Sequence, residues 1–113
     1  MDPAIVRLVR MTFQTEKVEE FLQLFSRVAG YIRAFPGCKR LELLEDHEQP
    51  NVFTTYSIWA SDRDLDEYKL SPLFEETWAI TRAMFSESPT AVSYRVVRTA
   101  EEIDQLAGTL GSN

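Results

Sequence analysis

Phe53-Thr54-Thr55-Tyr56-Ser57-Ile58-Trp59, then Leu65-Asp66-Glu67-Tyr68 after a polar break, then Ser71-Pro72-Leu73-Phe74-Glu75-Glu76-Thr77-Trp78, carries five of the chain's largest aromatic residues: Tyr56, Trp59, Tyr68, Phe74 and Trp78. It reads as a strand ending in a tryptophan, a short helix bearing a tyrosine, and a second helix opened by proline. Proline is tolerated at a first helical position because the N–H it lacks has no partner there. Along the strand, Val52, Tyr56 and Ile58 share one face, while Phe53 and Trp59 share the other with Thr55 and Ser57. Trp59, Tyr68, Phe74 and Trp78 are thereby placed to converge where a sheet meets a helix. That cluster is either a hydrophobic pocket or a filled core.

Ala4 to Phe13 is strand-like. Ile5, Arg7, Val9, Met11 and Phe13 lie on one face, and Val6, Leu8, Arg10 and Thr12 on the other. Apolar residues on both faces imply cover on both sides. Thr15 is the expected N-cap of a helix in which Val18, Phe21, Leu22, Phe25, Val28, Ala29 and Ile32 recur at helical spacing. Phe35-Pro36-Gly37 ends that helix and turns the chain. Cys38 to Glu45 is a second strand, joined by a polar loop to the third, Val52 to Ala60. Ser61 or Asp62 caps the short helix through Tyr68, and Ser71 caps the next. Ala91 to Arg98 is a fourth strand. Thr99 to Asn113 is read as a tail with one helical turn around Ile103 and Leu106 and a frayed end from Gly108.

The order βαββαβ predicts an α+β, ferredoxin-like domain over residues 1–98, a four-stranded antiparallel sheet with both helices on one face. Two helices cover only one face, yet the first and third strands carry large apolar groups on both sides. A second copy packing sheet to sheet resolves this, so a homodimer is expected.

The 113 residues suffice for one domain. Net charge is −6 and the arginines are scattered among acids, which argues against nucleic acid. No apolar run approaches the ~20 residues that cross a bilayer, so no membrane association is expected. Met1-Asp2-Pro3 lacks the features of a signal peptide, and a single cysteine fits a cytoplasmic protein. The one histidine, His47, sits in an acidic loop, and Cys38 has no histidine to activate it. No phosphate-binding glycine loop is present. The purified protein is therefore expected to carry no metal, haem or flavin.

Several of these segments resemble the antibiotic biosynthesis monooxygenase (ABM) domains, which are dimeric α+β barrels. They are Ile5 to Phe13, Phe35-Pro36-Gly37-Cys38, Phe53 to Trp59, and the spacing Leu65, Tyr68, Ser71, Leu73-Phe74. The resemblance covers residues 4 to about 97. It implies oxidation of quinols or anthrones by molecular oxygen without a cofactor. Trp59 carries over directly. Tyr68 and Phe74 stand where the family often has histidines, and Thr55 where some members have asparagine.

On that resemblance, Trp59 and Trp78, with Thr55 and Phe74, would hold a flat aromatic ring. Tyr68 would hydrogen-bond the substrate oxygen, and Arg10 or Arg95 would stabilise developing charge. Arg7, Arg10 and Arg95 all lie mid-strand, and a cation beside a pocket favours the deprotonated form of a phenol. The alternative for these arginines is an ion pair with Glu42 or Glu45. Two functions follow from the sequence: a cofactor-independent monooxygenase acting on an aromatic, phenolic or quinol-like molecule, or a catalytically silent dimeric barrel that binds a small apolar ligand.

Overall fold

The computed structural model describes residues 3–111. Met1 and Asp2, and Ser112 and Asn113 at the end expected to fray, lie outside the described residues. Four strands, β1 (Ile5–Thr12), β2 (Cys38–Glu45), β3 (Val52–Trp59) and β4 (Thr90–Arg95), form one antiparallel sheet in the order β2-β3-β1-β4. The helices α1 (Val18–Arg33), α2 (Asp62–Lys69) and α3 (Pro72–Arg82) make the two crossovers, and α4 (Ala100–Leu110) follows the last strand. This is the expected α+β, ferredoxin-like arrangement, with the second crossover divided into two helices at Leu70-Ser71.

Local chemistry explains most boundaries. The α1 face carrying Phe21, Leu24 and Ile32 is buried against the sheet. Ser61 caps α2 by accepting from the Asp64 N–H, and Ser71 caps α3 by accepting from the Phe74 N–H. Thr15 does not cap α1. It opens a 3-10 turn, Thr15–Lys17, and its side chain makes no capping hydrogen bond. Gly37 has φ 88°, and a Cβ there would overlap the Asp64 side chain. Its carbonyl accepts from the Ala60 N–H at 2.8 Å, which ties the start of β2 to the entry of α2.

The C-terminal segment forms more than the single turn expected. Thr99 and Glu102 make a reciprocal capping box, and α4 runs about three turns with every residue exposed. The radius of gyration is 16.5 Å, above the ~13 Å of a compact chain of this length, because this helix projects.

Residues Ile5, Arg7, Val9, Met11 of β1 and Phe53, Thr55, Ser57, Trp59 of β3 face the helices; the register pairs Arg7 with Ser57 and Val9 with Thr55. The core on this face is divided. One cluster gathers Met11, Phe13, Phe21, Phe53 and Met84; the other gathers Ile5, Ile32, Cys38, Trp59, Leu65 and Tyr68. Between them lies the polar row Arg7, Ser57 and Thr55, which cannot close a dry core. The opposite face presents Val6, Leu8, Tyr56, Ile58, Val92 and Tyr94, and among the described residues no helix packs across it.

Candidate functional site

The break between the two core clusters is occupied by a cavity of about 80 Å3 under α1, α2 and α3. Its floor is the sheet, with Arg7, Thr55, Ser57 and Trp59. Its wall is the aromatic series brought by the two crossover helices. Trp59 is fully buried and stacks on Tyr68, with centroids 4.8 Å apart. Phe74 meets the Tyr68 ring edge-on at 5.2 Å and lies parallel to Trp78 at 5.9 Å. The stretch Phe53 to Trp78 thus builds both floor and wall, and four of its aromatics meet as the sequence anticipates. Tyr56 points to the other face, under the Arg40 guanidinium at 5.7 Å.

Polar groups in the cavity are few and incompletely satisfied. The Trp59 indole Nε1–H donates to Ser57 Oγ at 3.0 Å. Because that serine oxygen accepts, its own proton is free to donate elsewhere. Among the described residues, the Arg7 guanidinium has no salt bridge or hydrogen bond, and neither does the Tyr68 hydroxyl. No fully occluded side-chain nitrogen or oxygen among the described residues lacks a partner, so both groups retain contact with the cavity space. Burial pushes the Tyr68 hydroxyl up to about 12, and the nearby Arg7 charge only partly opposes it. Tyr68 is therefore neutral at ordinary pH, a hydrogen-bond donor and not a base. Burial also pulls Arg7 down from its usual value, with Tyr68 acting against that. The guanidinium nonetheless keeps its charge, because a side chain that titrates so high stays protonated at neutral pH. The cavity lining contains no carboxylate and no histidine.

The sequence-derived candidates divide accordingly. Trp59, Tyr68, Phe74, Trp78 and Thr55 all line the cavity. Arg10 does not: it faces the opposite side of the sheet and sits 3.8 Å from Asp46, an exposed pair in place of the expected Glu42 or Glu45. Arg95 is exposed on the edge strand and does not line the cavity. The arginine brought to the aromatics is Arg7, set between Ser57 on one neighbouring strand and Ser93 on the other. Small neighbours on both sides leave the guanidinium its space. The signal for Arg7 was its place on the same face as Ile5, Val9 and Met11. Cys38 is buried, donates weakly to the Arg40 carbonyl at 3.7 Å, and has its thiol pushed up by burial. His47 is an exposed loop residue.

A four-stranded antiparallel sheet with its crossover helices packed on one face defines a ferredoxin-like α+β domain, here with an aromatic-walled cavity beneath those helices. The family model for antibiotic biosynthesis monooxygenase matches residues 4–80, and the chain belongs to that family. None of the curated proteins matches. Solved structures with the same fold include a conserved protein of Methanosarcina mazei Go1, at 22% identity and TM-score 0.79, covering 82% of this chain and 92% of that one. SnoaB of Streptomyces nogalater, a cofactor-independent oxygenase, aligns at 20% identity and TM-score 0.77 over 88% of this chain and 99% of its own. A Mycobacterium tuberculosis protein aligns at 16% identity and TM-score 0.79 over 86% and 98%. Among the described residues, no helix is long and apolar enough to cross a membrane.

Proposed function

We propose that this protein is a cofactor-independent monooxygenase that oxidises an aromatic, phenolic or quinol-like molecule with dioxygen in the cavity between Trp59 and Trp78. The observation carrying this reading is the pairing of an aromatic wall with two unpartnered polar groups, Arg7 and the Tyr68 hydroxyl. A filled core has no use for either group, and each is costly to bury without a partner. Membership of a monooxygenase family supports the reaction class.

The chemistry balances without an added reductant. A quinol bound as its anion is electron-rich enough to pass an electron to dioxygen. Insertion of one oxygen atom into a ring C–H bond takes two electrons from the substrate. Conversion of the quinol to the quinone takes two more, and the second oxygen atom leaves as water. The protein's part is to orient the ring and stabilise the anion. Trp59, Phe74 and Trp78 hold the ring, Tyr68 donates a hydrogen bond to its oxygen, and Arg7 opposes the negative charge. Arg7 replaces Arg10 and Arg95 in that role.

The working unit is a homodimer in this reading, with residues 1–98 as the catalytic domain and residues 99–113 as an appended arm. Leu8, Tyr56, Ile58 and Tyr94 lie on the uncovered sheet face, where a second copy would bury more than ~1,500 Å2 in total. The test is oxygen uptake by the purified, chelator-treated protein against a panel of quinols and anthrones. Saturable uptake by one class supports the reading. Binding without uptake across the panel makes the domain a catalytically silent binder.

A further inference from the structure

The cavity holds one cation, no anion and no base. We propose that Arg7 makes it a receptor for oxyanions, taking a ligand whose enclosed part is a single aromatic ring bearing one phenolate or carboxylate group. This rests on the functional reading only for the location of the site.

Three observations carry it. First, Arg7 lies at the centre of the sheet, beneath the helices, with no carboxylate in the lining to neutralise it. A partly buried guanidinium without a counter-charge is an unmet electrostatic demand, and an entering anion meets it. Second, two hydroxyls that line the cavity with it have no acceptor within the protein. The Ser57 hydroxyl has its oxygen occupied by the Trp59 N–H, and the Tyr68 hydroxyl stays protonated. Two neutral donors next to one cation suit a ligand oxygen that only accepts, an oxyanion or a carbonyl and not a neutral phenol; the uncompensated charge of Arg7 favours the oxyanion of the two. Third, the cavity is small, about 80 Å3, and open on one side. That is roughly half the ~150 Å3 of a cavity known to take benzene, so one ring is the most that is enclosed, and further rings must project through the mouth.

The absence of a base has its own consequence. No carboxylate or imidazole lines the cavity to take a proton, so the ligand's proton goes to solvent. The site then selects the anion from solution. It does not generate it.

The test uses 4-nitrophenol, whose phenol and phenolate absorb at different wavelengths, titrated with the full-length protein across pH. The bound dye is expected to ionise at a pH lower by about one to three units, the range produced by an opposite charge within a few ångströms. Arg7→Gln should abolish the shift and weaken phenolate binding at least about tenfold, while binding of neutral nitrobenzene changes less than about twofold. Arg7→Lys, which keeps the charge, should retain part of the shift and serves as the reporter if Arg7→Gln does not fold. Equal affinity of the parent protein for nitrobenzene and the phenolate, or an unchanged shift in Arg7→Gln, overturns the proposal. The outcome is separable from that of the oxygenase reading. Anion-selective binding without oxygen uptake removes the oxygenase and leaves the receptor; oxygen uptake insensitive to Arg7 does the reverse.

Discussion

Tyr68→Phe tests the pocket directly, because stability and catalysis should move in opposite directions. Tyr68 is 8% exposed, stacked on Trp59 and edged by Phe74. Phenylalanine preserves each ring contact. What is lost is a hydroxyl that no group of the protein hydrogen-bonds. Removing it orphans no partner, and it relieves part of the roughly 1–3 kcal/mol that an unpaired buried hydroxyl costs. The variant should therefore be as stable as the parent or up to about 1 kcal/mol more stable, a rise in Tm of up to about 5 °C. Catalysis should move the other way. A hydrogen bond to the substrate oxygen contributes about 1–3 kcal/mol when its loss leaves that oxygen buried and unpaired, so kcat/KM should fall roughly 10- to 100-fold. Thermal melting and steady-state oxygen uptake on the same preparation give both numbers. A folded variant with unchanged stability and kcat/KM within about twofold of the parent refutes the role given to Tyr68.

Three further outcomes are expected. The pH dependence of stability should carry the Tyr68 signature: its hydroxyl titrates at about 12 in the fold against about 10 unfolded, so the folded state holds a proton the unfolded chain loses between those values. This contribution is fully present below pH 10 and declines by on the order of 2 kcal/mol toward pH 12; denaturant melts in Tyr68→Phe should lack that component. Gly37→Ala should destabilise by about 2 kcal/mol or more, from the left-handed φ of 88° and the overlap with Asp64, and a melt within about 1 °C of the parent contradicts it. Leu8→Glu, at the centre of the uncovered face, should convert a dimer to the 13.0 kDa monomer in light scattering, and a parent protein that is already monomeric removes the dimer from the account.

Much of this architecture is legible in the chain. The α1 periodicity from Val18 to Ile32, the Phe35-Pro36-Gly37 stop and the period-two faces of β1 and β3 define the βαββαβ order. They do so because each is a local pattern whose buried side survives in the fold. The meeting of Trp59, Tyr68, Phe74 and Trp78 follows from the same patterns. The choice among Arg7, Arg10 and Arg95 does not. Alternation shows that Arg7 and Arg10 face opposite ways, but which side the helices cover depends on the pairing of Arg7 with Ser57 and Ser93, a long-range register. The depth of the cavity is likewise invisible in sequence, since it arises where a polar row divides two apolar clusters. The α4 helix exceeds the single turn its sequence suggests for a different reason. Its Thr99–Glu102 capping box is a local signal, but its exposed Ile103, Leu106 and Leu110 have no internal partner to mark them as one face.

The most direct test of the central claim is turnover under heavy-isotope dioxygen, with the product analysed by mass spectrometry. One labelled oxygen atom is expected in the quinone product and one in water, with the yield lost in Trp59→Ala and sharply reduced in Arg7→Gln. Oxidised product without label, with the dioxygen recovered as hydrogen peroxide, would contradict monooxygenation in this cavity.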